Sequence, residues 1–280
     1  MAGSFLHLHL ALGAFSTAFG LRPEAGSIEL PAFLAGSLAP DVGFFPGGPA
    51  AFSHRVHHEL TGDFVRRLLS EARCPAEEAF VAGWALHIET DAGTHPLINR
   101  LAAALSGQPL GAARQDLWHK RIEWGLDCRI LGATGYQPPL WQQPLQVPVD
   151  LLIRSADALY GVDTDLLHLR RGLSGLADWI RRLAMVLFWS GSAARGMTGQ
   201  LPSKPGVTPS VARMLARRLE GVCYVEDLVA ILTPEFPADE FTLQALDATE
   251  AAVASFQRGW AERFVNILNR DLDSGQVIPK

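Results

Sequence analysis

Two stretches of this chain space metal-binding side chains four residues apart. His87, Asp91 and His95 recur at that step, and His119 with Glu123 repeats it one segment later. Residues four apart on an α-helix lie nearly over one another, so each cluster projects its imidazoles and carboxylates from one face. The pattern asks for helices. Imidazole plus carboxylate, with no thiolate, is the ligand set of a catalytic rather than a structural zinc site.

The surrounding sequence agrees with helices. Gly62 to Ala72 sets Phe64, Val65, Leu68 and Leu69 on one side and Arg66 and Arg67 on the other. Pro75 is placed to open the next helix, with Glu77 and Glu78 in its first turn, where negative charge suits the helix dipole. That helix is predicted to run through Trp84 to about Thr94, because Pro96 biases His95 out of the α region. His87 and Asp91 would then bind one ion, and His95 would turn towards a second. Further helices are predicted at about Gly111–Leu131, Val149–Leu159, Asp165–Trp189, Thr208–Leu219, Val225–Leu232 and Phe241–Leu272. Gly- and Pro-rich loops fall at Leu38–Ala50, Gly132–Pro148 and Gly191–Pro209. No alternating run argues for a sheet. The expected fold is an all-α multi-helix bundle forming a single domain over 1–280. Its metal-binding half is about 1–135, and its scaffold and pocket wall about 136–280.

Composition narrows the function. At 280 residues, 48% of them hydrophobic and 19% charged, the chain can bury a substantial core. A formal charge of −5 leaves no basic footprint for a nucleic-acid backbone, so no stable nucleic-acid complex is expected. Cys74, Cys128 and Cys223 form no CxxC pair and read as reduced thiols of a cytoplasmic protein. Gly3 to Gly20 is apolar enough for the core of a signal peptide, the route by which secretion would occur. However, no Lys or Arg precedes Arg22, and His7 and His9 interrupt it, so a retained, buried helix is the reading adopted. No other stretch approaches a membrane span, which leaves transient contact with a membrane surface as the expected limit. Eight of the nine histidines precede Lys120, placing the chemistry in the first half.

Two further elements join the helical clusters. LAGSLAPDV presents Asp41 in a turn after Pro40, and HRVHHELTGDF opens with His54, His57 and His58. Adjacent His57 and His58 point in different directions, so at most one can share an ion with Asp41. In WHKRIEWGLD, Asp127 follows Glu123 by one more turn and could orient His119 or another ligand.

The order His, PD, HHE with TG and an aromatic, HxxxDxxxHP and HxxxE resembles the bacterial zinc-dependent phospholipase C family, related to the single-strand-specific zinc nucleases. The resemblance covers about Phe5 to Asp127. It implies one zinc held by Asp41, His57 (or His58), His87 and Asp91, and a second by His95, His119 and Glu123. A third, where family members carry it, would take an early His, here His7 with His9 in reserve, and the bridging Asp91. Secreted members complete that third site with an N-terminal tryptophan, whereas the first Trp of this chain is Trp84. The HP-containing spacing is closer to the intracellular relatives.

Such a ligand set implies phosphate-ester hydrolysis, with Asp41 and Asp91 as the catalytic carboxylates and metal-activated water attacking phosphorus. Neither GxSxG nor a P-loop is present, and no HD dipeptide points to the other common helical phosphohydrolase class. A phospholipid headgroup or a small phosphodiester is the expected substrate. Phe44, Phe45, Trp84, Trp118 and Trp124 lie near the motifs, either as substrate contacts or as core. The alternatives are a phosphatase or nuclease acting on a soluble ester, and a helical metal-binding protein without catalysis.

Overall fold

The computed structural model describes residues 3–20, 28–107, 113–134, 146–161, 166–189, 234–235 and 237–279. Among them the fold is all-α, and the one β feature is an isolated bridge between Arg270 and Val277. The described helices are α1 (Ser4–Phe19), α2 (Glu29–Gly36), α3 (Ala50–His58), α4 (Thr61–Glu71), α5 (Pro75–Ser106), α6 (Ala113–Thr134), α7 (Val149–Tyr160), α8 (Leu166–Trp189) and α9 (Asp239–Ala261). A 3₁₀ turn, Ala39–Phe44, links α2 towards α3. The helices expected at Thr208–Leu219 and Val225–Leu232, and the loop Gly191–Pro209, lie outside the described residues. No described helix is long and apolar enough to cross a membrane.

The chain divides into two compact units. Unit one comprises Met1–Leu6, Leu97–Gln143 and Ser174–Leu243; unit two comprises His7–Pro96, Pro144–Leu173 and Gln244–Lys280.

Unit two is built on aromatic packing. Phe33 meets Phe15 at 5.7 Å and Phe256 at 5.9 Å, while Phe64 meets Trp84 at 5.3 Å between ring centroids. These rings are fully buried, each contributing about 1.5–3 kcal/mol of hydrophobic stabilisation. The α4 pattern buries Phe64, Val65 and Leu68 as expected, and α4 packs on α7, which ends at Gly161 with a left-handed φ of 60°.

The structure departs from the predicted helix bounds at two places. The long helix does not end at Thr94: α5 runs on through Pro96 to Ser106. Proline removes the N–H that would bond the Ala92 carbonyl and crowds that oxygen with its ring, yet the helix continues on both sides of it. The last helix does not reach Leu272. It stops at Ala261, where Arg263 and Phe264 adopt positive φ (53° and 54°) and the Phe264 N–H returns to the Gly259 carbonyl. Gly259 leaves room for the Phe264 ring, since a Cβ there would lie 2.8 Å from it. The apolar residues that mimic a helical period, Phe264, Ile267 and Leu272, are buried from turns and an extended segment instead.

In unit one, α6 supplies the anchors. Arg129 donates to the Pro237 carbonyl, Arg121 pairs with Glu235, and Gln115 donates to Asn99 Oδ1 at 3.2 Å. The Asp127 carboxylate accepts N–H bonds from Gly3 (2.9 Å), Phe5 (3.4 Å) and Leu6 (2.9 Å), satisfying the otherwise unpaired donors at the start of α1.

Candidate metal centre

In unit two, two glycines let α2 and α5 touch backbone to backbone. A Cβ on Gly36 would lie 2.0 Å from the Phe80 carbonyl oxygen, and one on Gly83 would lie 2.0 Å from that of Phe33. This closeness brings the Ser37 carbonyl within 2.9 Å of His87 Nδ1, which must donate to it. Beyond Ser37 the 3₁₀ turn carries Asp41, and Ser53 of α3 fastens that turn. Its hydroxyl donates to the Pro40 carbonyl (2.6 Å) and accepts the Gly43 N–H (2.7 Å). The Ser53 carbonyl accepts from His57 Nδ1–H at 2.7 Å.

With both Nδ1 atoms donating to carbonyls, the Nε2 atoms of His57 and His87 are left to face inward. They lie 3.3 Å apart. His57 Nε2 is 3.2 Å from Asp41 Oδ1 and 3.7 Å from Asp91 Oδ2; His87 Nε2 is 3.0 Å from Asp91 Oδ2 and 3.9 Å from Asp41 Oδ1. The separations that the two imidazoles make in this cage of donor atoms, 3.0–3.9 Å, bracket the about 3.3 Å edge of a tetrahedron with zinc–ligand bonds of about 2.0–2.1 Å. Two imidazole nitrogens converging among carboxylates and buried from water are a donor set for a cation. The residues present therefore suit zinc.

Asp91 also has a second side. Its Oδ1 lies 3.0 Å from His7 Nε2 and 3.5 Å from His95 Nε2. The two oxygens of one carboxylate therefore address two different pairs of imidazoles. His7 stacks on His87 with ring centroids 4.2 Å apart, and its Nδ1 is buried without a hydrogen-bond partner among the described residues. His95 donates from Nδ1 to Asp273 Oδ1 at 3.2 Å. His95 remains within α5, so its separation from His87 comes from the two faces of Asp91 and not from release by Pro96.

Burial penalises charge here, but the opposed charges outweigh it. Against burial, the Asp91 and Asp41 carboxylates push His87 up to about 9. Against burial again, His87, His95 and His7 hold Asp91 well below the usual carboxylate range, and His87 with His57 lowers Asp41. Both acids are ionised at neutral pH.

In unit one, His119 Nε2 lies 3.2 Å from Glu123 Oε1, and His119 Nδ1–H donates to Asn99 Oδ1 at 2.6 Å. Asn99, not Asp127, is the partner that orients this ring. Asp127 is occupied at the start of α1, and burial, with Glu123 nearby, pushes it up to about 7 against its backbone hydrogen bonds.

Other expected residues lie elsewhere. His58 turns away from the cage, with Nδ1 3.2 Å from Asp271 Oδ2. His9 and His54 are exposed, the latter against the Phe44 ring. Phe45, Trp84 and Trp124 are core residues, whereas Phe44 is half-buried with its ring 5.2 Å from that of His57. The roles of Asn99 and Asp273, and of the Ser37 and Ser53 carbonyls, were not foreseen. A weak signal existed for Asn99, which follows His95 by one helical step.

The fold and the donor set define an all-α protein with a buried imidazole–carboxylate centre. Residues 6–181, more than half of the chain, match the family described as zinc dependent phospholipase C, and the chain belongs to that family. It is also similar to a protein of Archaeoglobus fulgidus described as uncharacterized, 25% identical over 167 residues. That match covers 57% of this chain and 45% of the relative, so less than half of the relative's length is matched. No solved structure matches the chain.

Proposed function

We propose that this chain is a zinc-dependent phosphodiester hydrolase of phospholipase C type. The observation that carries the reading is Asp91, whose two oxygens face separate pairs of histidines. In this reading Asp41, His57, His87 and Asp91 hold one zinc. His95, with His119 and Glu123 as the sequence order assigns them, serves a second, and His7 is reserved for a third. Bound zinc lowers the pKa of a coordinated water and neutralises charge on the phosphoryl and leaving oxygens. The residues do the rest. Asp91 holds the two sides in register, Asp41 orients the attacking water, and the Nδ1 hydrogen bonds of His57, His87, His95 and His119 keep those imidazoles in their binding tautomer.

The substrate proposed is a phospholipid headgroup or a small phosphodiester, with Phe44 beside His57 as an apolar contact. The formal charge of −5 supports a substrate smaller than a nucleic acid. Free Cys74 and Cys128 suit a reducing compartment, which supports a cytoplasmic site of action.

Elemental analysis of the purified chain, paired with turnover of a nitrophenyl phosphodiester, tests the reading. About two or more zinc equivalents and measurable hydrolysis are expected. A metal-free chain, or a loaded one inert towards every phosphate ester, would overturn it. Comparison of phosphatidylcholine with single-stranded nucleic acid and a phosphomonoester then separates the phospholipase reading from a nuclease or phosphatase.

A further inference from the structure

The family match ends at residue 181. Far beyond it, three consecutive residues touch three histidines of unit two. Asp271 Oδ2 lies 3.2 Å from His58 Nδ1, the Leu272 N–H donates to the His57 carbonyl at 3.0 Å, and Asp273 Oδ1 accepts from His95 Nδ1–H at 3.2 Å. The chain after α9 thus forms a strap across the elements that bear His57 and His95.

The strap is held at both ends. Asn269 exchanges two hydrogen bonds with Asp63, accepting its N–H at 2.8 Å and donating to its carboxylate at 2.9 Å; the Arg270 N–H donates to Thr61 Oγ1 at 2.7 Å. Gly62 lies so close beneath that a Cβ there would stand 2.6 Å from the Leu268 carbonyl oxygen. Past the histidines, Asp271 Oδ1 accepts from both the N–H and the hydroxyl of Ser274, and its carbonyl accepts the Gly275 N–H at 2.7 Å. Gly275, at φ +68°, presses into α5 where Pro96 interrupts the ladder: a Cβ there would lie 2.7 Å from the Ala92 oxygen and 3.1 Å from Pro96 Cγ. Asp273 is therefore carried on a turn fixed from both sides, although its own side chain is 42% exposed.

We propose that Asp273 is a positioning residue for the metal centre: its carboxylate holds the His95 ring with Nδ1 protonated and Nε2 turned towards Asp91. A histidine ligand whose outer nitrogen donates to a carboxylate is fixed in tautomer and made more basic, and loss of such a partner typically weakens metal binding by about 10–100-fold. The proposal rests on the reading of His95 as a zinc ligand. It adds a residue outside the family-matched region on which the occupancy of that ligand's ion depends.

The test is zinc binding by the full chain, stripped of metal and titrated with Zn²⁺ against a chromogenic chelator. Asp273→Ala should weaken one class of zinc equivalent by about 10–100-fold and leave the tighter class at its wild-type affinity. Helicity and melting of the metal-free protein should match the wild type. Asp273→Asn keeps an acceptor oxygen for the His95 N–H and should recover most of the affinity, and Co²⁺ loaded into the same equivalent should show a spectrum altered in Asp273→Ala and restored in Asp273→Asn. An Asp273→Ala titration that superimposes on the wild type would overturn the proposal and leave the zinc reading intact. Loss of helicity together with zinc would also overturn it, because that marks a purely structural role. A wild-type chain that takes up no zinc fails the zinc reading itself, and the proposal falls with it.

Discussion

Gly36 of α2 and Gly83 of α5 mark the crossing of the two helices, each lying against the backbone of the other helix with no room for a side chain. The would-be Cβ of each comes within 2.0 Å of a carbonyl oxygen of the opposite helix. The crossing sets the position of Ser37, whose carbonyl fixes His87. Two residues with no side chain thereby determine the tautomer of a buried imidazole.

Gly83→Ala should therefore lower both stability and zinc affinity. The added methyl forces the helices apart, which in a packed interior costs about 1–3 kcal/mol or more. Thermal melting of the metal-free chain reads the first effect and chelator competition the second. A variant that melts and binds zinc as the wild type does would mean the crossing is slack.

Asp91→Asn should reduce the number of zinc equivalents and suppress turnover by more than the roughly 10–100-fold expected for an outer partner. The amide presents one oxygen and one NH₂ donor where the carboxylate presents two acceptors to four histidines. Metal content and phosphodiester turnover, measured on the same preparation, check this. Retained turnover with full zinc would refute the bridging role.

Zinc uptake at pH 7 should release protons. His87, which Asp91 and Asp41 push up to about 9 against burial, is protonated in the metal-free chain at that pH, and zinc needs its lone pair. Its raised value means that the metal-free fold gains stability fully present below about 6.5 and lost as pH rises through about 9. Asp91 and Asp41, depressed in the fold, contribute stability present above their ordinary range and lost on acidification. Calorimetric titration in buffers of different ionisation enthalpy counts the protons. Zinc affinity should rise between pH 6 and 9; a flat profile would contradict the assignment of His87.

Ser53→Ala should destabilise the chain by about 1–3 kcal/mol, because it leaves the buried Pro40 carbonyl and Gly43 N–H without the hydroxyl that joins them. Asp41 sits between those two groups, so hydrolysis should fall further than stability alone accounts for. Activity measured well below the melting temperature separates the two effects.

What the sequence disclosed was local. A four-residue step places His87 beside Asp91, and His119 beside Glu123, whatever the rest of the chain does, and apolar periodicity located α4, α7 and α8 to within a few residues. Groups that meet across long separations were hidden. Ser37 and Ser53 act on the imidazoles through their carbonyls, which every residue type carries, so no pattern marks them. Pro96 is a helix breaker by local preference, yet α5 passes through it. Asp127 occupies a helical step suited to orienting His119, yet the unpaired amides at the start of α1 claim it first. The strap is masked in the sequence because Phe264, Ile267 and Leu272 continue a helical spacing that the left-handed residues Arg263 and Phe264 break.

The pairing of Asp273 with His95 has a consequence for the newly made chain. The two residues are separated by 178 positions, which a ribosome adding about 5–20 residues per second covers in roughly 10–35 s. Throughout that interval the helices around the cage can form while His95 still lacks its partner. Translation thus supplies every residue of the inner cage first and this ligand's support last, so a chain cut short before Asp273 would lack the carboxylate that holds His95.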